Sequence, residues 1–510
     1  MATAATSSED RPLRSAGVLL HPTSLPSPHG IGDLGEGARR FVDWLADAGV
    51  TRWQVLPLVP AGPGNAPYAT PAALAGHPLL VDLHGLAADG LLAADDLRGP
   101  SPDFALDTVD FERVVPFKRE RLERAAAALL AGRNPDLLRA YEAFRASQRW
   151  AEEAATFLVM RAARDGRPWW DWEPALRDRE AGALAAEKER LAAPIAREVA
   201  LFFFFERQWA ALREYTHAHG IKIIGDIPIY VDRDSVDVWS ARDQFRLNPD
   251  GSPIAVAGVP PDFFSKTGQL WGNPLYDWER MAADGHRWWI ARLGRALAQV
   301  DIVRLDHFRG FANFWEVDPA AEDARGGRWV DGPGHRLFDD LRRALGDDLP
   351  LIAEDLGEID DAVHALRDRY DLPGMKVLQF AFGGGNNHPF LPHRHTQRSV
   401  CYTATHDNDT TLGWWQSTDE RARDHARRYL AVNGHDIVWD LVRAAFASVA
   451  ELAVVPLQDV LCLDGRTRMN VPGVAEGNWR WRVRVQAFNH PLALRVREIA
   501  TLYGRARPSS

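Results

Sequence analysis

Eight short apolar runs, each bounded by turn residues and separated by helix-like patterns, most narrow what this chain can fold into. They fall at residues 17–20 (GVLL), 52–56 (RWQVL), 222–225 (KIIG), 301–305 (DIVRL), 351–353 (LIA), 376–380 (KVLQF), 400–403 (VCYT) and 454–457 (VVPL). Short runs of this kind read as strands buried on both faces, the state of a parallel sheet covered by helices. Helical patterns lie between them, such as 38–48 (ARRFVDWLADA) and 361–369 (DAVHALRDR). Eight strands alternating with helices predict an α/β protein, a (β/α)8 TIM barrel. An eight-stranded doubly wound sheet is the structural rival. It is weakened because no Gly-rich dinucleotide or phosphate loop follows the first strand.

The spacing of the runs is uneven. The stretch between the second and third is far too long for one helix and a loop, and it carries Ala/Glu/Arg/Leu patterns over 122–131 and 180–217. It predicts a mostly helical insertion subdomain, residues 60–195, followed by the barrel helix 196–217, whose Phe202–Phe205 run reads as core. A second insertion, 230–284, separates the third and fourth strands and contains GVPPDFFSKTGQLWGNPLYDW. Its Pro, Gly and aromatic content predicts an ordered lid over the barrel mouth, with Phe263, Phe264 and Trp271 excluding water. Residues 1–15 read as a flexible tail, and 16–510 as a discontinuous catalytic barrel.

Composition excludes several functions. A formal net charge of −10 argues against nucleic acid as the main partner, since phosphate binding needs a basic face. The two cysteines, Cys401 and Cys462, exclude a disulfide framework and point to a reducing compartment. The N-terminal sequence has no signal-peptide core, and no apolar stretch reaches the roughly 20 residues of a membrane helix. The expectation is a cytoplasmic protein without membrane partners.

In a barrel of this type the reacting groups stand at the carboxyl ends of the strands. Acids follow four of the runs: Asp226 (KIIGD), Asp306 (IVRLD), Glu354 with Asp355 (LIAED), and Asp407 after His406 (TATHD). A single acid there is as readily a loop anchor. Several acids on one rim repel one another and raise their pKa values, an arrangement that proteins keep mainly at active sites. Carboxylates so gathered suit retaining glycosidic chemistry, which needs an ionised nucleophile and a protonated acid about 5–5.5 Å apart. Asp306 is the candidate nucleophile, because Arg304 lies two residues earlier on the same face of the strand and favours its charged form. Glu354, on the next strand, is the candidate acid/base, raised by its charged neighbour. Asp407 is the candidate third acid, gripping sugar hydroxyls. His307 and His406 flank two of these acids. Spacing alone leaves each open as a sugar ligand or a packed structural group.

The segments 17–35 (GVLLHPTSLPSPHGIGDLG), 52–80, 258–278, 303–311 (VRLDHFRGF), 351–357 (LIAEDLG), 374–382 (GMKVLQFAF) and 405–415 (THDNDTTLGWW) resemble those of amylomaltases. These are the 4-α-glucanotransferases, or disproportionating enzymes, of the α-amylase superfamily. The likeness runs from about residue 17 to the GNWRWR stretch at 477–482. It implies Asp306 as nucleophile, Glu354 as acid/base and Asp407 as transition-state stabiliser. It implies Arg304, Asp226 and Tyr68 as substrate-site residues, with Gln269 and Trp271 in the lid, and His307, His406 and Asn408, beside the acids, are taken as substrate-site candidates with them. Members often carry Asp-Ser where this chain has Asn65-Ala66, which bears on the contacts of Tyr68. The resemblance also implies maltooligosaccharides and α-1,4-glucans as substrates, with no cofactor and no metal.

Three rivals stand beside that expectation. One is an α-1,4-glucan hydrolase using the same carboxylates. Another is a metal-dependent barrel enzyme with Asp226, His307, Glu354, His406 and Asp407 as ligands, against which stands the lack of paired His-x-His or His-Glu-x-x-His spacing. The third is a non-catalytic glucan binder, which would lack the nucleophile or the acid.

Overall fold

The computed structural model describes residues 14–99, 103–261 and 265–507. Its strands, in chain order, are β1 (Ser15–Leu19), β2 (Arg52–Gln54), β3 (Lys222–Pro228), β4 (Val256–Val259), β5 (Gln269–Pro274), β6 (Ile302–Asp306), β7 (Asn313–Val317), β8 (Arg328–Asp331), β9 (Leu351–Ala353), β10 (Gly374–Val377), β11 (Ser399–Tyr402) and β12 (Leu452–Pro456). Eight of them close into a barrel in the order β1-β12-β11-β10-β9-β6-β3-β2. Each ladder of the barrel is parallel. All eight apolar runs fall on these strands. The sixth is displaced: its ladder runs Gly374–Val377, and Leu378–Phe380 turns out of the sheet as a 3-10 helix.

The barrel forms because its strands are apolar on both sides. Every residue of β1 and β12 is buried. Gly225, in β3, lets the sheet approach the helix Arg287–Gln299, since a Cβ there would stand 2.7 Å from Val300 Cγ2. The first and last strands pair along their whole length, Ser15 opposite Leu452 through Leu19 opposite Pro456. Arg505 fastens that seam. Its guanidinium is buried and donates to the carbonyls of Ser15 (3.0 Å), Phe446 (2.7 Å), Ser448 (3.0 Å) and Ala450 (2.8 Å).

Between β2 and β3 stand the helices Phe111–Leu130, Pro135–Ser147, Arg149–Ala162 and Ala181–Arg190, leading into Ala192–Ala218. Phe202, Phe203, Phe204 and Phe205 are all buried there, because this helix is covered on several sides and is apolar nearly all round. The stretch after β3 is more than a loop. β4 and β5 belong to a four-stranded antiparallel sheet, order β5-β4-β7-β8, whose other half comes from residues after β6. The sequence reading did not find β7 and β8. They are short, β7 only partly buried and β8 largely exposed, unlike the buried runs that mark the barrel. Phe263 and Phe264 lie outside the described residues. Among the described residues no helix is long and apolar enough to cross a membrane.

Candidate active site

β6 and β9 are hydrogen-bonded neighbours, with Leu305 opposite Ala353. The Glu354 amide continues the ladder, donating to the Leu305 carbonyl at 3.0 Å. Asp306 and Glu354 therefore leave the barrel side by side at the same end. Arg304 lies on the same face of β6 as Asp306. Its Nη1 is 2.9 Å from Asp306 Oδ1 and 2.7 Å from Asp226 Oδ2, which projects from the adjoining β3. The Tyr68 hydroxyl donates to the same Asp226 oxygen at 2.8 Å. The Arg304 and Asp226 side chains are sealed, 3% and 0% exposed, whereas 26% of the Asp306 side chain is accessible. In this triplet one cation serves two carboxylates, and only Asp306 presents an oxygen outward.

Electrostatics divide the acids. Burial pushes Glu354 up to about 7, with the Asp306 charge adding to the rise and Arg304 opposing it. Burial also raises Asp226 to about 7, again against the pull of Arg304 and with Asp306 adding. The Glu354 carboxyl is held by two backbone amides: His307 N–H donates to Oε2 at 2.7 Å, and Leu356 N–H to Oε1 at 2.8 Å. His307 adopts φ +51°, a left-handed conformation that costs a non-glycine residue on the order of 1 kcal/mol or more. Such strain concentrates where backbone groups must be aimed.

The two histidines are packed and partnered. Burial pushes His307 down to about 4, so its ring is neutral at pH 7, and it meets the Trp271 ring edge-on at 4.8 Å. Burial likewise lowers His406, with Asp407 opposing. His406 stacks on Tyr68 at 5.2 Å with planes 10° apart, and its Nε2 lies 3.3 Å from Asp407 Oδ2. Asp407 Oδ1 accepts from Asn470 Nδ2 at 2.6 Å. Trp479 tilts against both Tyr68 (5.9 Å) and His406 (6.0 Å).

These groups border a cleft of about 580 Å³, within the range of small-molecule sites. Tyr68, Gln269, Trp271, Asp306, His307, His406 and Asp407 stand on its wall. Asp226, Arg304 and Glu354 do not, and are joined to it through Tyr68, Asp306 and the His307 backbone. Gln269 Oε1 accepts the Trp271 indole N–H at 3.2 Å, which ties the two lid residues together.

The structure does not bring Asn408 into the cleft. Its Oδ1 accepts from the Thr405 amide (2.9 Å) and hydroxyl (2.8 Å), and the side chain lines a separate small cavity with His21 and Arg468. Asp355 also turns away: it is buried, 2.6 Å from Arg367 Nη1, and accepts the Met375 amide at 2.7 Å. It serves the packing of β9 against β10. Sequence reasoning missed Asn470 and Trp479. Both follow β12, and the Pro/Gly/Trp-rich stretch 470–482 directly after the eighth strand was the available signal. Tyr230, also on the wall, follows β3 in the same way. Among the described residues no group of three or more His, Cys, Asp or Glu is disposed to hold a metal ion.

Comparison with known proteins finds relatives of the whole chain. The sequence profile of a family described as 4-alpha-glucanotransferase matches residues 20–487. A chloroplastic/amyloplastic 4-alpha-glucanotransferase from Arabidopsis thaliana is 46% identical over 499 residues, 96% of this chain and 86% of the relative. A 4-alpha-glucanotransferase from Thermus thermophilus is 44% identical over 496 residues, 96% and 98% of the two chains. The solved structure of the amylomaltase from Streptococcus agalactiae in complex with acarbose superposes with a TM-score of 0.94. It is 35% identical, covering 97% of this chain and all of that one.

Proposed function

The chain belongs to the 4-alpha-glucanotransferase family, a group of retaining glycosyl-transferring enzymes, and from that premise we propose how its rim residues divide the reaction. Asp306 is the nucleophile. It attacks the anomeric carbon of an α-1,4-glucan while Glu354 protonates the departing glycosidic oxygen. A glucosyl ester on Asp306 results and the reducing-end fragment leaves. Glu354, now ionised, takes the proton from the 4-hydroxyl of an incoming glucan or glucose, which attacks the ester. Two inversions give net retention.

The observation that carries this reading is the division of charge across neighbouring strands. Arg304 gives Asp306 a cationic partner at 2.9 Å, while burial lifts Glu354 to about 7. One carboxyl is thereby suited to attack and the other to carry a proton at neutral pH. Glu354 accepts two amide N–H groups, an arrangement that favours its ionised form. On protonation one oxygen becomes a donor, loses its amide and is free to turn toward a glycosidic oxygen. Asp407, held by Asn470, grips sugar hydroxyls at the reacting ring. Asp226 and Tyr68 support Arg304 from behind.

Transfer competes with hydrolysis, so acceptor sugars must be bound productively and water kept out. Trp271, set edge-on against His307 beside Asp306, is the residue placed to do so. Maltooligosaccharides and α-1,4-glucans are the substrates of this reading, and free cysteines accord with a cytoplasmic setting. Incubation of the pure protein with maltotriose tests the reading. The expected products are glucose plus a ladder of longer chains. Products shorter than maltotriose and nothing longer would make the protein a hydrolase.

A further inference from the structure

β7 and β8 pair so that Asn313 faces Asp331 and Trp315 faces Trp329. Directly opposed residues share a sheet face, and so do residues two apart. One face of this hairpin therefore displays two indoles and two hydrogen-bonding side chains as a compact array. Trp329 is 40% exposed, which is unusual for so large an apolar ring. It is nevertheless held rigidly. The Arg309 guanidinium lies over one side of its ring, 3.8 Å from the centroid, and the Trp315 ring meets it edge-on at 5.1 Å. Arg309 itself is fixed by Asn313 Oδ1 (2.7 Å), by Asp360 Oδ2 (2.8 Å) and by the Glu358 carbonyl. Arg309 is buried, so its fork backs one face of the indole and leaves the other to solvent.

Neither polar need of this platform is met internally. Among the described residues the Trp329 indole N–H has no hydrogen-bond partner, and the exposed Asp331 carboxylate makes no ion pair. A flat apolar surface ringed by a free donor and a free acceptor matches a pyranose, with an apolar C–H face and equatorial hydroxyls around its edge. The location adds direction. Arg309 stands three residues beyond Asp306, and Glu358 four beyond Glu354. The array thus borders the rim at β6 and β9, while the cleft lies toward Tyr68, Asp407 and Trp479. A general acid faces the leaving group, so sugars beyond Glu354 are those on the reducing-end side.

We propose that Trp329, backed by Arg309 and flanked by Trp315 and Asp331, is a stacking subsite for the reducing-end portion of long α-1,4-glucans. This rests on the transfer reading above. None of these residues lines the cleft, so a short substrate seated there leaves the platform empty and a long one reaches both.

Two measurements test it. In transfer assays, Trp329→Ala is expected to raise the KM for long amylose about threefold to tenfold more than the KM for maltotriose, the scale of one aromatic contact. Trp329→Phe should recover part of the loss, which a merely structural role would not produce. Equal changes for both substrates, or none, overturn the proposal. Calorimetric titration of maltoheptaose and longer chains into protein carrying Asp306→Asn provides the second. Adding Trp329→Ala should weaken binding of the long chain more than the short. If the wild-type protein makes no ladder from maltotriose, the transfer reading fails, yet this titration still decides the subsite. Unaltered affinity for the long chain overturns it.

Discussion

At the scale of single residues, the site turns on where protons reside. In the proposed reaction Glu354 is protonated for the first step, and burial holds its proton to about pH 7 rather than releasing it near 4.5. The sign is that of an acid with a raised pKa: the Glu354 contribution is complete below about 7 and is lost as pH rises through it. An initial-rate profile on maltotriose should show this alkaline limb. Glu354→Gln should lower the rate by about 10²–10⁴-fold and abolish the limb. A limb that survives in that variant would assign it to another group, with Asp226, also near 7, the first suspect. The catalytic candidates were legible in the sequence because the residue after a buried strand has one place to go, the barrel rim. Asn408 was not. A residue beside Asp407 in the same loop faces the other way, and there Asn408 closes a turn onto Thr405. Trp479 escaped for a related reason. It sits at φ +65° in an irregular loop, a conformation with no periodic signature.

At the scale of elements, apolar runs revealed the eight barrel strands, and the exposure of β5 and β8 concealed the four-stranded sheet. That sheet converts the stretch after β3 from a loop into a framework. Val256 pairs with both Pro274 and Val317, so β4 is fixed from either side. Trp271 projects from the edge strand β5, 36% exposed, between Tyr230 at 6.3 Å and His307 at 4.8 Å. In the proposed reaction a large ring so placed would shield the Asp306 ester from water. Trp271→Ala should therefore lower the ratio of transfer to hydrolysis several-fold, read as ladder products against total reducing ends. An unchanged ratio would remove Trp271 from the exclusion of water. At the same scale Gly327 permits the β7–β8 hairpin, since a Cβ there would stand 2.2 Å from Trp315 Nε1.

At the scale of the whole molecule, closure of the barrel depends on residues near both ends of the chain. Arg505 donates to four carbonyls around the β1–β12 seam, and its charge is taken up there without a carboxylate. Arg505→Ala would remove a buried donor from these carbonyls, two of which, Phe446 and Ser448, also accept from Arg14, at a cost of about 1–3 kcal/mol. A lowered Tm, with normal products from maltotriose at low temperature, is the expected outcome. An unshifted Tm would show that the strand ladder alone secures the seam.

That seam also orders events during synthesis. β1 leaves the ribosome more than four hundred residues ahead of its partner β12. Until then the nascent sheet has two open edges, with unpaired amides and carbonyls on each. Arg505 emerges later still. The unfinished polypeptide is thus prone to pair with a neighbour until β12 is available, and translation stalled before β12 emerges would yield aggregates rather than a slower enzyme.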